Sequence, residues 1–296
     1  MKPAILLLLR AAVSISILAV ILSRVSIDAV LLRAKGGALA YLAAALLLVL
    51  VMALLVALRW RFLAAWLGLA VPGRLAVRAV FLGLFGGQLL PSVIGTDLLR
   101  GFVLARHTGR LQRVAASLIA DRLVALFAAC LLLILGYASL GRLPAPFAGL
   151  LVPAAALLSG AALLAFLLGS TGVVRRVFRV QPVEGVTLQP KPILAAIVVA
   201  FAIHSIAVVA AALTAAAYGI DASLKIWLPI VPLAVIASAV PISINGWGVR
   251  ETVIVALGAG YGLVAADALL VSLTLGALNL VASLPGAYLL LRAPRD

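Results

Sequence analysis

Six ionisable side chains stand inside stretches of this sequence that are otherwise apolar. They form three groups, which are Asp97 with Arg100, Asp121 with Arg122, and Arg250 with Glu251. Each such charge costs about 2.5–3.5 kcal/mol at the centre of a membrane helix, so charged residues in these positions mark binding and transport sites. Arginines beside carboxylates indicate recognition of an anionic group such as a lipid phosphate.

The first two groups also allow purely structural interpretations. Asp97 and Arg100 are three residues apart, on one face of a helix, and could form only a salt bridge. Asp121 and Arg122 lie near the start of a span, from which both side chains could extend to the membrane interface. Structural ion pairing is therefore one alternative to ligand binding at these four positions.

The third group is different because its two charged residues are neighbours in the chain. Arg250 and Glu251 point in different directions, so we expect them to pair poorly with each other and to need partners from elsewhere. The other broken segment of the chain is the natural source of those partners. We expect Arg100 and Arg250 to bind a phosphate, with Asp97 and Glu251 balancing the arginines or contacting a cationic headgroup.

Two broken apolar stretches, 79–105 and 227–260, carry most of these charges. Pro91 and Gly95 interrupt the first. The second is interrupted by Pro229, Pro232 and Pro241 and then by Asn245-Gly246-Trp247-Gly248. The limbs on either side are short, since a helix of about 12–14 residues covers only about 18–21 Å of a hydrocarbon core of about 30 Å. The second limbs begin with free N–H groups that suit an anion, and the glycines let backbone approach a ligand closely. The candidate binding residues in these breaks are Pro91, Gly95, Asn245, Gly246 and Gly248.

The composition of the chain indicates whether these residues lie in a soluble protein or in a membrane. Of 296 residues, 66% are hydrophobic and only 10% are charged, and the mean hydropathy is +1.32. Soluble domains carry about 25% charged residues, so a soluble enzyme or binding module is excluded. The net charge of +15 lies in short clusters between apolar runs, which indicates membrane orientation rather than nucleic-acid binding. The sequence has no Cys/His cluster with metal-ligand spacing, so no metal site is expected.

Six apolar runs are long enough to cross a bilayer. They are 4–22, 38–58, 115–137, 146–168, 193–218 and 264–291. If both broken stretches are re-entrant hairpins that return to their own side, most loop Lys and Arg residues, Arg59 among them, fall on one side of the membrane. If the stretches cross fully, that bias disappears. The positive-inside rule therefore favours hairpins and places both termini in the cytoplasm.

The two halves of the chain also align at an offset of 150 residues. Pro91 matches Pro241, and Arg100 matches Arg250. Coincidence between two proline-broken segments in an Ala/Leu-rich chain is the alternative. Three crossings per half is an odd number, so the second half is inverted, as in many secondary transporters. We predict an all-α polytopic membrane protein, residues 1–296 as one integral membrane domain, with repeats over about 1–140 and 146–292.

Three motifs give the chain a resemblance to a known family. They are Gln88-Leu-Leu-Pro91-Ser-Val-Ile-Gly95-Thr-Asp97-Leu-Leu-Arg100, Asp121-Arg122, and Pro241-Ile-Ser-Ile-Asn-Gly-Trp-Gly248-Val-Arg250-Glu251. Together they resemble the transmembrane domain of lysylphosphatidylglycerol synthases, which also occurs alone in flippase-like proteins. The similarity covers essentially the whole chain. This chain has Thr96 where the family more often has Glu, and the resemblance adds Thr96, Asp121 and Arg122 to the candidate substrate-binding residues.

The resemblance implies that a lipid or a lipid-linked group moves between leaflets. In the full-length synthases a soluble aminoacyl-transferase domain follows, whereas this chain stops at Asp296, so we expect no synthase activity, no catalytic residue and no cofactor. The expected partners are a membrane phospholipid, a hopanoid-pathway lipid or a polyprenyl-phosphate-linked lipid, and a second copy of the chain in a homo-oligomer. The expected location is the bacterial inner membrane.

Two other classes of function remain open at this point. One is a membrane-embedded, polyprenyl-phosphate-dependent transferase with Asp97 or Glu251 as the base. The other is a non-transporting accessory subunit of a lipid or glycolipid synthesis pathway. Loss of lipid movement in Arg100 and Arg250 variants would separate a carrier from these alternatives.

Overall fold

The computed structural model describes residues 38–89, 93–140, 190–239 and 245–291, and the isolated positions 154, 157, 160 and 161. Within the four ranges the chain is helical and has no strand. In chain order the helices are α1 Ala38–Trp66, α2 Gly73–Leu89, α3 Val93–Thr108, α4 Leu111–Leu140, α5 Pro190–Ala217, α6 Leu224–Ser238, α7 Val249–Gly260 and α8 Ala265–Leu291.

Four of these helices are long and apolar enough to cross a membrane: α1, α4, α5 and α8. Each has at least 27 residues, which is about 40 Å of helix against a core of about 30 Å. They match the predicted spans 38–58, 115–137, 193–218 and 264–291. Helices α1 and α4 are seven or eight residues longer than predicted, whereas α5 and α8 differ from the prediction by at most three residues at either end. The predicted spans 4–22 and 146–168 lie outside the described residues, except for the four isolated positions. The protein is a multi-pass membrane protein.

The stretch predicted as the first hairpin forms two helices, α2 and α3, that run antiparallel and side by side. Near the break, the backbone of Gly87 lies against the Thr96 side chain, and Gly83 lies against the Thr96 carbonyl and the Arg100 side chain. Further from the break, Val80 and Leu104 share one hydrophobic core. Residues earlier in α2 therefore contact residues later in α3, as in a helical hairpin.

The second broken stretch forms the corresponding pair, α6 and α7. Helix α6 continues through Pro229 and Pro232 and ends at Ser238, so neither of these prolines ends the limb. The turn before α7 needs left-handed backbone at three residues, Asn245 (φ 47°), Gly246 (φ 76°) and Gly248 (φ 88°). Glycine reaches these angles without a steric penalty, and asparagine is among the few other residues that tolerate them.

The two hairpins have their bases at opposite ends of the helix bundle. One core joins the base of the α2–α3 hairpin to the end of α1 and the start of α4, through residues such as Ala76, Leu104 and Val114. The other joins the base of the α6–α7 hairpin to the end of α4 and the start of α8, through residues such as Leu133 and Trp227. Since α4 is one continuous helix, these cores lie at its two ends.

Packing in one half of the structure recurs in the other. Helix α8 packs on α2 as α4 packs on α6, and α3 packs on α4 as α7 packs on α8, while α1 and α5 pack on each other. The closest helix approaches also correspond. Gly136 of α4 abuts the backbone of Leu228 and Pro229 in α6, and Gly286 of α8 abuts the backbone of Phe81 in α2. The two glycines are 150 residues apart in the sequence.

Candidate functional site

Five charged side chains from three helices form one ion network in the first half. Arg59 on α1 donates two hydrogen bonds to Asp121 on α4, from Nε at 2.7 Å and from Nη2 at 3.1 Å. Arg100 on α3 donates from Nη2 to Asp121 Oδ2 at 3.1 Å and also to Asp97 Oδ1. Arg122 on α4 donates from Nε to Asp97 Oδ2 at 2.6 Å. Arginines and carboxylates alternate along this chain of contacts.

The inner part of the ion network is enclosed by α1 and α4. Arg59, Arg100 and Asp121 are all buried. The Arg100 guanidinium lies 5.1 Å from the centre of the Trp60 ring, a cation–π distance. Trp60 is held in turn by a hydrogen bond from its Nε1 to Ser117 Oγ at 3.1 Å. Trp60 and Ser117 therefore fix the position of the Arg100 side chain.

The exposed fraction of the side chains rises along the ion network from Asp121 to Arg122. The side chain of Asp121 is 2% exposed, that of Asp97 is 19% exposed and that of Arg122 is 42% exposed. Arg100 keeps one further donor, Nε, which is buried and has no hydrogen-bond partner among the described residues. Approach to the ion network is therefore possible along Asp97 and Arg122, and not past Arg59.

The ion network joins residues of both charges. It contains the three arginines Arg59, Arg100 and Arg122 and the two carboxylates Asp97 and Asp121. The other carboxylates of the described residues lie outside these contacts. The buried members Arg59, Arg100 and Asp121 need these pairings, because a buried charge without a partner is costly.

A second charged group lies at the start of α7. Glu251 reaches back along the helix, and its carboxylate accepts a hydrogen bond from the Gly248 N–H at 2.6 Å. It also accepts from Arg250 Nε at 2.9 Å and from Ser272 Oγ of α8 at 3.1 Å. The expectation that Arg250 and Glu251 cannot pair is therefore wrong. Folding back to cap the helix carries the Glu251 carboxylate to the side on which Arg250 lies.

Arg250 itself is enclosed by aromatic and glycine neighbours. Its guanidinium lies 4.8 Å from the centre of the Trp247 ring, and it fills the space left open at Gly276 of α8. Because Glu251 already occupies the N-terminus of α7, that helix end holds a carboxylate of its own chain. The expectation of a free positive helix end is therefore wrong at Gly248, because its N–H already donates to Glu251.

The two hairpins contact each other through polar side chains at their breaks. Asn245 Nδ2, before α7, donates to Gln88 Oε1, near the end of α2, at 2.9 Å. A Cβ atom at the adjacent Gly87 would meet the Thr96 hydroxyl and would lie 3.9 Å from Asn245 Oδ1. Gly246 packs on Ser238 at the end of α6. Residues from α2, α3 and the α7 turn thus meet at one point, which we call the tip junction.

The predicted site residues consequently fall into three places. Asp97, Arg100, Asp121 and Arg122 belong to the ion network, which excludes the interfacial position considered for Asp121. Gly248, Arg250 and Glu251 form the α7 group, and Thr96, Asn245 and Gly246 lie at or beside the tip junction. Gly95 is buried at the start of α3, and Pro91 lies outside the described residues. The described contacts of Arg100 and Arg250 stay within their own halves.

Sequence reasoning missed three participants, of which Arg59 is the most important. The run Arg59-Trp60-Arg61 at the end of an apolar segment has the form of a basic membrane-end signal, and Arg59 was accordingly expected in a loop. Instead Arg59 is buried and paired with Asp121, 62 residues away. A buried Asp121 needs a cationic partner, and this need could have indicated that a nearby arginine such as Arg59 is buried with it. Gln88 and Ser272 gave no signal of this kind, because they are uncharged and their partners lie 157 and 21 residues away in the chain.

Comparison with known proteins agrees with the helical architecture. Residues 7–286 match the family described as the lysylphosphatidylglycerol synthase TM region. A comparison with curated proteins and one with solved structures found no match. The matched segment contains both hairpins, the ion network and the tip junction. The chain belongs to the lysylphosphatidylglycerol synthase transmembrane-region family.

Proposed function

We propose that this protein binds an anionic lipid, or a lipid-linked phosphate, by its headgroup and moves it between the leaflets of a bacterial inner membrane. No covalent bond is made or broken in this proposal. The single observation that carries it is the tip junction, where Asn245 Nδ2 donates to Gln88 Oε1 at 2.9 Å. This contact brings the two chain breaks together next to the ion network, which begins at Asp97, one residue after Thr96.

We further propose that both hairpins are re-entrant. Helices α2 and α3 have 17 and 16 residues, and α6 and α7 have 15 and 12. At 1.5 Å per residue, these are about 18–26 Å long, shorter than the hydrocarbon core of about 30 Å. Their bases lie at opposite ends of α4, so the hairpins would enter from opposite faces and meet near the middle. Non-helical backbone at that depth requires a protein-lined or watery surrounding.

An inverted repeat accounts for this arrangement. The packing of α1 to α4 recurs in α5 to α8, and Gly136 and Gly286 make equivalent close contacts on the opposite hairpin. Proteins with such repeats move substrates by rocking one half against the other around a central site. Here the central site would be the tip junction, and the ion network would receive the headgroup.

The orientation follows from the exposed basic residues. One end of the bundle, where α1 ends and α4 begins, carries many of them: Arg61, Arg74, Arg78, Arg106 and Arg110. We propose that this basic end faces the cytoplasm, in line with the positive-inside rule, and that both termini do so too. The α2–α3 hairpin and its ion network would then be reached from the cytoplasmic leaflet.

Reconstitution into vesicles tests the proposed movement. A fluorescent phosphatidylglycerol analogue in the inner leaflet is followed by its exposure to a membrane-impermeant quencher, with purified wild-type protein and with Arg100→Ala and Arg250→Ala. We expect movement by the wild type and a loss of at least tenfold in Arg100→Ala, since about 1.5–3 kcal/mol is the usual value of a charged hydrogen bond. Arg78→Ala, an exposed arginine of α2, is the matched control.

Three outcomes of the vesicle experiment have distinct meanings. Movement that disappears in Arg100→Ala and persists in Arg78→Ala supports the proposal. Equal movement in all variants overturns the role of the ion network. Lipid that binds the wild type without being moved overturns transport and favours an accessory subunit.

A further inference from the structure

A groove lies between the last turns of α1 and the connection that leads to α2. At the end of α1 the chain reverses at Gly68, whose backbone is left-handed (φ 71°). The Leu69 N–H then donates back to the Ala64 carbonyl at 2.9 Å, which is typical of a helix end that turns back on itself. The groove that remains between helix and connection has a volume of about 550 Å³.

The walls of this groove are mostly apolar. Leu58, Phe62 and Ala65 come from one face of α1, at spacings of four and three residues, and Leu69 and Pro72 come from the connection. Ala65 and Pro72 are exposed, so the groove opens to the outside of the helix bundle. The apolar run of α1 ends at Leu58. The groove therefore lies at the boundary between the hydrocarbon core and the membrane interface.

One cation, Arg61, lies in the groove. Its Nε donates to the Val71 carbonyl at 3.1 Å, which ties the side chain to the connection. Its Nη1 would lie 3.4 Å from a Cβ atom at Gly73, the first residue of α2. Among the described residues, neither Nη atom of Arg61 makes a hydrogen bond or an ion pair. The backbone thus orients the guanidinium and leaves the N–H groups of both Nη atoms for a ligand.

Further positive charge surrounds Arg61. Arg74 directly follows Gly73 and is exposed, and Arg110 donates from Nη1 to the Gly68 carbonyl at 3.4 Å. The N-terminal end of α2 adds a partial positive charge at Gly73. In the part of the chain that the structure describes, none of these three arginines is paired with a carboxylate. An apolar groove with this charge at its edge is complementary to an anionic phospholipid.

We propose that this groove binds a resident anionic phospholipid from the leaflet at the basic end of the bundle. Its phosphate would be bound at Arg61, and one acyl chain would lie along Phe62 toward Leu58. The site is separate from the ion network, because Arg59 and Arg61 are about 200° apart around α1. Arg59 is buried against α4, whereas Arg61 is exposed. The proposal does not depend on lipid movement by the protein.

The position of the groove gives the lipid a structural role. Val71 of the connection and Ala76 of α2 share one hydrophobic core with Trp60 of α1 and Leu104 of α3. This core forms the base of the α2–α3 hairpin, and the groove lies on its outer side. A lipid held there would contact both α1 and the connection. It would therefore stabilise the base of the hairpin and would not pass through the protein.

Site-resolved photo-cross-linking tests the proposal. Delipidated wild-type protein in detergent is titrated with phosphatidylglycerol or phosphatidylcholine of equal acyl chains, each with a diazirine in one chain, and the adducts are mapped by mass spectrometry. We expect a saturable phosphatidylglycerol adduct on residues 58–65. Half-saturation by phosphatidylcholine, which has no net charge, should need at least fivefold more lipid, the change expected when the attraction of one arginine is lost.

Two kinds of variant remove the two features of the groove separately. Arg61→Gln should raise the half-saturating phosphatidylglycerol concentration about fivefold, and Arg61→Lys, which keeps the charge, should stay closer to the wild type. Ala65→Phe fills the groove without a change of charge and should abolish the adduct. The matched controls are Lys225→Gln and Ala216→Phe, which change an exposed cation and an exposed alanine far from the groove. The unfolding midpoint of each variant, measured without lipid, checks that it is folded.

The outcomes separate this proposal from that of transport. Equal half-saturation by the two lipids, or an adduct unchanged in both Arg61→Gln and Ala65→Phe, overturns the groove site whatever vesicles show. An adduct that disappears in Arg100→Ala would make the groove part of the transport route and would overturn a resident lipid. A selective adduct that persists in Arg100→Ala supports the groove site, even if the protein moves no lipid.

Discussion

At the scale of residues, each half of the protein neutralises its own central arginine in a different way. Arg100 relies on carboxylates of α3 and α4, while Arg250 relies on its neighbour Glu251, which also caps α7. Both arginines lie beside a tryptophan ring. The first group joins five charged side chains from three helices, and the second joins two neighbours at the start of one helix. The two hairpins are therefore chemically unequal although their packing corresponds.

Asp121 should be the most sensitive carboxylate for stability. Asp121→Asn leaves Arg59 and Arg100 buried with half of their counter-charge, and breaking a buried ion pair in this way costs about 3–5 kcal/mol. We expect a clear fall in the thermal unfolding midpoint in detergent. Asp221→Asn, an exposed carboxylate before α6, should leave the midpoint unchanged. An equally small change in both variants would contradict the burial of the ion network.

The sequence-based prediction for these residues was correct for one pair on a regular helix face and wrong elsewhere. It gave Asp97 with Arg100 as a possible pair, because three residues make less than one helical turn. It failed for Arg59, whose partner comes from another helix, and for Glu251, whose side chain folds back at a helix start. Neither distance in the chain nor helical periodicity contains that information.

At the scale of elements, glycines allow the hairpins to lie against long helices. Gly136 and Gly286 each touch the backbone of the opposite half's first hairpin limb. Small residues at such contacts let helices approach closely, which is how association is stabilised in lipid. The sequence predicted these breaks and limbs to within a few residues, because apolar run length and proline position are local properties. It did not indicate which helix faces would meet.

Substitution of these two glycines should separate α8 from α2 and α4 from α6. A Cβ at Gly136 would lie 2.7 Å from the Pro229 nitrogen, closer than real Cβ atoms approach backbone. We expect Gly136→Ala and Gly286→Ala each to lower stability by about 1–3 kcal/mol, the cost of overpacking. Gly160→Ala, which meets nothing within 4 Å, is the control. Unchanged unfolding midpoints in all three would refute these close approaches.

The tip junction can be tested by cross-linking. Gln88→Cys combined with Asn245→Cys, in a Cys130→Ala background, should react with a short bifunctional thiol reagent within one chain. Cys130 is the only cysteine of the sequence, so two introduced thiols are the only targets. Gln88→Cys combined with Asp221→Cys should give no cross-link, because Asp221 lies beside the base of the second hairpin. A cross-link between the thiols at positions 88 and 221, with none between those at positions 88 and 245, would show that the hairpin tips are not in contact.

At the scale of the whole molecule, the helix packing of the described residues in one half corresponds to that in the other. The bases of the hairpins lie at opposite ends of the four long helices, and the basic residues gather at one of those ends. The 150-residue offset of the motifs predicted an inverted repeat, which stays a prediction that the corresponding packing supports. The prediction that the second half is inverted came from counting three crossings in each half. Two of the six predicted crossings, 4–22 and 146–168, lie outside the described residues apart from isolated positions.

Labelling from the two sides of the membrane tests the opposed directions. In the Cys130→Ala background, Arg110→Cys at the basic end should react with an impermeant maleimide only from the cytoplasmic side. Asp221→Cys, beside the base of the second hairpin, should react only from the other side. Reaction of both thiols from one side would mean that both hairpins enter from the same face and would contradict an inverted repeat.

The hydrogen bond between Asn245 and Gln88 has a mechanical consequence. An uncharged amide pair contributes only about 1 kcal/mol, less than twice the thermal energy. Thermal motion alone is enough to break one hydrogen bond of this strength. If the protein moves lipid between the hairpins as we propose, the lipid would move down its own gradient, and the direction would be set by the reactions that supply it in one leaflet and consume it in the other.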